Sequence, residues 1–293
     1  MRKILILSLL IVCVSLLFSY NTNDYKIYNS KTRKYVKLSQ MAKECQKADI
    51  IFFGELHDDA LLHWLEIEFL KEFYHNNHDI AVSMEMFERD TQGIVDDFLI
   101  GKINESDFLL RSRAWGNYPT DYKPIVEFAK EKKLPLIAAN VPRYIAALVN
   151  RNGLEILDSL SVQEKKWVAR AVNTDDGAYK DKFLGLMGNM QMGHGMLLDR
   201  LFAAQCVKDD TMAESIVDYL KANPKKKVIH FNGDFHSQSG LGTVERVDKN
   251  YKSLVISPLV KAEGEKLEIS KEDDISIADY IIIINRELGE QDD

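Results

Sequence analysis

Six stretches of this chain are apolar along nearly their whole length: "DIIFFG" (49–54), "DIAVSMEMF" (79–87), "LPLIAAN" (134–140), "KKVIHFNG" (226–233), "KSLVISPL" (252–259) and "DYIIIIN" (279–285). Successive strand residues point to opposite faces, so a strand with one wet face alternates apolar and polar side chains. Runs apolar on both faces belong to a mostly parallel sheet covered by helices on both sides. The intervals carry helical patterns. Residues 59–74 place Leu61, Leu62, Leu65, Phe69 and Leu70 on one stripe, with Asp58 and Asp59 as caps at its N-terminus. "TDYKPIVEFAKEKK" reads as a second helix, and "VPRYIAALVNRNG" as a third, with Pro142 near its first turn and Gly153 past its end. The fold class is therefore α/β. A stretch of about 160–222 lacks strand signals, reads as wholly helical and forms a helical insertion. Upstream, "KIYNSKTRKYVKLSQMAKECQKADI" reads as a short hairpin followed by an amphipathic helix.

The first 20 residues stand apart from this rhythm. "MRKILILSLLIVCVSLLFSY" has a basic start at Arg2 and Lys3, then an apolar stretch to about Phe18. That is the pattern of a signal peptide, too short for a comfortable membrane span. The expectation is an exported protein of the periplasm or cell envelope, with residues 21–293 forming the α/β domain. Cys13 follows "LIV", which suggests lipid anchoring, although Val12 is bulky where a small residue is usual. Cys45 and Cys206 lack any CxxC spacing and read as buried small hydrophobes. The formal net charge is −7, with no basic stripe, which argues against a nucleic-acid partner.

Chemistry gathers at the strand ends. "GELH" places Glu55 and His57 after the first core strand, and "GDFH" places Asp234 and His236 after the fourth. Glu85 lies inside the second strand, while Asn140 and Arg143 follow the third. In an open parallel sheet these ends share one edge, where ligands bind. A carboxylate amid "VSMEMF" needs a partner, and Arg143, His57 and His236 are the candidates. The expectation is that the two Gly-x-x-His motifs lie across one cleft. His63 reads as packing or rim, His75 and His78 as solvated, His230 as a core residue. His194, in "GNMQMGHGMLLD", lies among glycines and methionines that suit an adaptable apolar surface.

The segments "FFGELHDD", "SMEMFERD", "RAWGNYPTDYKPIVEFAKEKKLPLIAANVPR", "AQCVKDDTMAESIV" and "HFNGDFHSQSGLG", in this order and over about residues 45–245, resemble the ChaN-like family. These are exported bacterial haem-binding proteins of the wider Tiki/TraB/erythromycin-esterase superfamily. The resemblance implies an erythromycin-esterase/ChaN-like α/β fold. It implies haem as cofactor for haem and iron uptake, commonly in a homodimer, with an outer-membrane haem receptor as a partner. Haem would be held through a tyrosine, with histidine at the propionates. Tyr118 and Tyr122 in "WGNYPTDYKP" are the first candidates, because a loop there could present a phenolate beside Trp115. Tyr179 and His194 are held in reserve. Hard phenolate oxygen suits ferric haem. The same superfamily implies an alternative, a metal-dependent hydrolase of peptides or esters. In it His57, His236, Glu55 and Glu85 would hold a divalent metal ion with water in an open position. Glu55, His57, Glu85, Arg143 and His236 would be catalytic, Arg143 stabilising the oxyanion.

Overall fold

Each apolar run forms a strand, and the strands align in one eight-stranded sheet. The computed structural model describes residues 23–187 and 195–286. Residues 1–20, read from the sequence as a signal peptide, with Cys13, and also His194 and the tail from residue 287, lie outside the described residues. The opening hairpin is β1 (Tyr25–Asn29) and β2 (Lys34–Val36), followed by helix α1 (Leu38–Cys45). The parallel strands are β3 (Ile50–Glu55), β4 (Ile80–Glu88), β5 (Leu136–Asn140), β6 (Lys227–Gly233), β7 (Ser253–Ala262) and β8 (Tyr280–Arg286). Their order across the sheet is β2-β1-β8-β7-β3-β6-β4-β5. Only the hairpin runs antiparallel, against β8. Strand β6 therefore lies between β3 and β4, although the chain reaches it far later.

Alternation along the strands sends side chains to two covered faces. Ile51, Phe53, Val82, Met84, Ile229 and Phe231 face a core shared with the helices on one side. These are α1, α2 (Ala60–Asn76), α3 (Gln92–Leu99), α4 (Glu105–Ser112) and α5 (Lys123–Lys132). Helix α2 starts where Asp59 accepts the Leu62 N–H at 2.9 Å. It buries Leu62, Leu65, Phe69, Leu70 and Phe73 completely, each contributing about 1.5–3 kcal/mol of transfer free energy. Asp58 is not a cap: it pairs with Arg286.

The opposite face carries Ile50, Phe52, Ala81, Ile137 and Val228. Over it lies the second half of α8 (Gly195–Ala222), through Met212, Ala213, Ile216 and Leu220. The stretch read as a helical insertion is thus partly the sheet-covering crossover between β5 and β6. Nor is it helical throughout. Between α6 (Arg143–Asn152) and α7 (Ala178–Met187) the chain forms 3-10 turns at Leu154–Ser159 and Glu164–Trp167, with irregular backbone around them. One guanidinium ties this region to the sheet: Arg89 donates to Glu214 Oε1 at 3.0 Å, to the Thr211 carbonyl at 2.7 Å and to Ser215. His230 is the expected core histidine, bonded to Ser83 Oγ at 2.9 Å. Burial pushes its imidazole down to about 3, so it stays neutral.

Candidate functional site

The two glycine motifs leave adjacent strands side by side, Glu55 of β3 being the register partner of Gly233 of β6. Each glycine makes room for the other motif. A Cβ on Gly54 would lie 2.4 Å from Asp234 Oδ1, and one on Gly233 would lie 2.7 Å from His57 Nε2. Only a residue without a side chain permits either approach. Asp234 and His236 follow β6 in a single 3-10 turn.

One half of the site is built on β3. Glu55 is buried, and its Oε1 accepts from His57 Nδ1 at 2.6 Å and from the Tyr122 hydroxyl at 2.8 Å. His63 Nδ1 lies 3.0 Å from its other oxygen and 3.2 Å from Glu66 Oε2. Burial works against the Glu55 charge, but the two imidazoles outweigh it and hold the carboxyl below its usual range. The His57 side chain is 45% exposed. Its burial opposes protonation, and the bond to Glu55 overcomes that and raises its pKa. The ring stands edge-on to Trp115, with centroids 5.0 Å apart.

The other half is built on β4 and β6. Strand β4 shifts register against β5 between Met84 and Glu88, and its pairing with β6 ends at Met84. That irregularity frees Glu85 to turn into the site. Its Oε2 accepts the Gly233 N–H at 2.8 Å, and its Oε1 lies 3.3 Å from His236 Nε2. Asn140 steadies the same backbone, donating to the Glu85 carbonyl at 3.1 Å. On its far side His236 Nδ1 donates to Asp209 Oδ1 at 2.7 Å. Asp209 is fully buried on α8 and also accepts from Thr243 at 2.8 Å and from Tyr179 at 2.5 Å. Desolvation disfavours the His236 charge, but two flanking carboxylates push its pKa up to about 10. Glu85 is held well below the carboxylate range, burial being outweighed by His236. Asp234, by contrast, is pushed up to about 6 by burial, although it accepts from Ser257 and Gln238.

These groups meet in one cleft of about 680 Å³ at the carboxyl edge of the sheet. Glu55, His57, Glu85, Asn140, Arg143, Asp234 and His236 all line it. The partner of Glu85 is His236 and not Arg143. Arg143 is exposed on the first turn of α6 and has no ion-pair or hydrogen-bond partner among the described residues. An apolar wall of Trp115, Val141, Ala146, Phe183, Leu186 and Met187 completes the space.

The tyrosines differ from the sequence expectation. Tyr118 and Tyr122 are 1% and 0% exposed, and neither lines the cleft. Tyr118 packs against Phe87 and Phe108, while Tyr122 gives its hydroxyl to Glu55. The loop folds both rings inward because they complete the apolar core, so it presents no phenolate as folded. Burial raises both hydroxyl pKa values further. Tyr179 is likewise buried and bonded to Asp209. The four residues expected to hold a divalent ion share the cleft without forming a compact donor set. Among the described residues that set is Glu55, His63 and Glu66. His63, read from sequence as packing or rim, is 4% exposed and central to this network. Two sequence signals pointed to the missed groups: His63 and Glu66 are spaced i, i+3 beside the apolar stripe of α2, and Asp209 falls on the buried stripe of α8.

The likeness to solved structures runs the length of the fold. ChaN of Campylobacter jejuni, solved with cofacially bound haem, matches at 18% identity and a TM-score of 0.66, over 89% of this chain and 97% of that one. An erythromycin esterase, EreC, in its open conformation aligns at 12% identity and a TM-score of 0.48, over 80% of this chain and 76% of that one. No curated protein matches the chain. The family model described as haem-binding uptake, Tiki superfamily, ChaN matches residues 41–247, most of the described fold and both glycine motifs. The chain belongs to that family.

Proposed function

We propose that this protein binds haem in the cleft at the carboxyl edge of its sheet and serves haem uptake after export. The family match over residues 41–247 carries the reading, and the cleft's chemistry supports it. Haem is a flat apolar macrocycle with two carboxylates on one edge. The cleft offers a matching apolar wall, with Leu186 57% exposed, and two cations on its lining, Arg143 and Lys208. Its volume lies within the usual range for a cofactor site. Arg143 and Lys208 would hold the propionates, and Trp115, Phe183, Leu186 and Met187 would cover the ring.

Haem, when bound, would need a donor side chain from the protein for its iron. No tyrosine lines the cleft among the described residues. The exposed phenol nearest in sequence is Tyr144, adjacent to Arg143, with 43% exposure and a 3.0 Å bond to Glu164. His57 lines the cleft with its Nδ1 engaged by Glu55. His57, which lines the cleft, is therefore the first donor of this reading, and Tyr144, outside the lining and bonded to Glu164, is the second. Export rests on the basic and apolar composition of residues 1–20. Haemin titration into the purified protein should give a saturable Soret shift, and absence of saturation at micromolar protein would sink the proposal. Tyrosinate charge-transfer bands lost in Tyr144→Phe but kept in Tyr118→Phe would identify the phenolate. Fractionation of the producing cells tests export.

A further inference from the structure

Below the cleft, Glu55, His63 and Glu66 make a cluster whose geometry haem does not explain. We infer that these three side chains bind a divalent metal ion, of the zinc, manganese or ferrous class. The inference stands independently of the haem reading. Four observations carry it.

The first is spacing. Glu55 Oε2 lies 3.0 Å from His63 Nδ1, which lies 3.2 Å from Glu66 Oε2. A metal with bonds of about 2.1 Å holds neighbouring donors about 3.0–3.4 Å apart, so the donors already stand as ligands stand. All three donor atoms fall within 4.8 Å of one another.

The second is want of partners. Glu66 Oε1 is buried without a hydrogen-bond partner, and Glu55 Oε2 has only the His63 Nδ1 that it shares with Glu66 Oε2. Their side chains are both 0% exposed. Buried carboxylate oxygens left without donors are rare and costly, whereas a cation satisfies them together.

The third is outer support. A ligating imidazole commonly donates its other N–H to a carbonyl or carboxylate, which fixes its tautomer and orientation. His63 does this, its Nε2 lying 3.2 Å from the His57 carbonyl and 3.6 Å from Asp121. Glu55 is oriented in the same way, its outer oxygen held by Tyr122 and His57.

The fourth is charge. Two buried carboxylates share this space with one imidazole. A dication held among them compensates the buried negative charge. An O₂N donor set suits first-row divalent metals. Glu55 also lines the cleft, which gives the ion its way in from solvent.

The test uses the full chain, stripped with chelator and then titrated with Zn²⁺ or Mn²⁺ by calorimetry. Thermal melts and elemental analysis of protein purified without chelator accompany it. One equivalent per chain should bind, raise the melting temperature and be removed by chelator. Glu66→Gln and His63→Gln should each weaken binding at least tenfold, while His236→Gln, on the other half of the cleft, should leave it within twofold. Glu66→Gln replaces the carboxyl by an amide of the same shape, so it disturbs packing least and serves as a check on His63→Gln. No binding by the parent protein would overturn the inference and leave a proton-shared network. Binding that survives both α2 variants would overturn it by placing the ion elsewhere. Haemin titration of the same samples reports on the haem reading separately.

Discussion

Replacing Gly233 by alanine should expel the His57 ring from the site at a cost of about 1–2 kcal/mol. The backbone there, at φ −55° and ψ 134°, accepts any residue, so the penalty comes from the side chain alone. The new methyl group would lie 2.7 Å from His57 Nε2 and 2.8 Å from its Cε1. The cheaper escape is for the imidazole to swing away, giving up its 2.6 Å bond to Glu55. A hydrogen bond to a charged group is worth about 1.5–3 kcal/mol, and the half-exposed ring brings this to the lower end. Shifting β6 instead would disturb its pairing with β3. The assay is a double-mutant cycle by urea unfolding. In a His57→Ala background the clash is gone, and Gly233→Ala should be neutral or slightly stabilising, because alanine narrows the unfolded ensemble. The interaction energy between the two sites should be about 1–2 kcal/mol. Additivity within about 0.5 kcal/mol would refute the packing argument.

Other expectations concern the buried polar groups. Asp209→Asn breaks a buried pair with His236 and should destabilise the protein by about 3 kcal/mol, read by chemical denaturation. The folded pKa of His236, about 10, lies above an unfolded value of about 6.5. Its stabilisation is complete below the unfolded value and is lost as pH rises through the folded one. Stability should therefore decline between these limits, and less steeply in His236→Gln; an unchanged slope would contradict the ion pair. Ser83→Ala removes the one hydrogen-bond partner of His230, whose Nε2 already lacks one, and should cost about 1–3 kcal/mol in the same assay.

Much of this was legible in the residues. The six apolar runs mark the six parallel strands because strands buried on both faces leave no polar alternation. The glycine motifs mark the cleft because a strand exit with acid/base groups points outward from the sheet edge. What remained hidden depends on contacts distant in sequence. Tyr118 and Tyr122 sit in a loop that reads as presenting them, yet aromatic neighbours on β4 and α4 and the Glu55 carboxylate draw them inward. The role of Asp209 emerges only when α8 is laid beside His236. The irregular stretch after α6 was misread as helical because it lacks strand signals, and absence of strand pattern does not distinguish 3-10 turns from helix.

The position of β6 also sets the order in which this molecule can be assembled. Strands β3 and β4 are made early, but the slot between them belongs to a segment that leaves the ribosome after α8 is complete. Pairing β3 directly with β4 would close that slot and must be undone before folding can finish. Joining Glu55 to Gly233 closes a loop of roughly 180 residues, an entropic cost repaid only when the long-range contacts form together. Until then β3 and β4 have open edges, the kind of surface on which intermediates aggregate. The cleft cannot exist before β6 is made. Its two glycines meet their counterparts only once β6 is threaded between β3 and β4, so ligand capture reports on that threading.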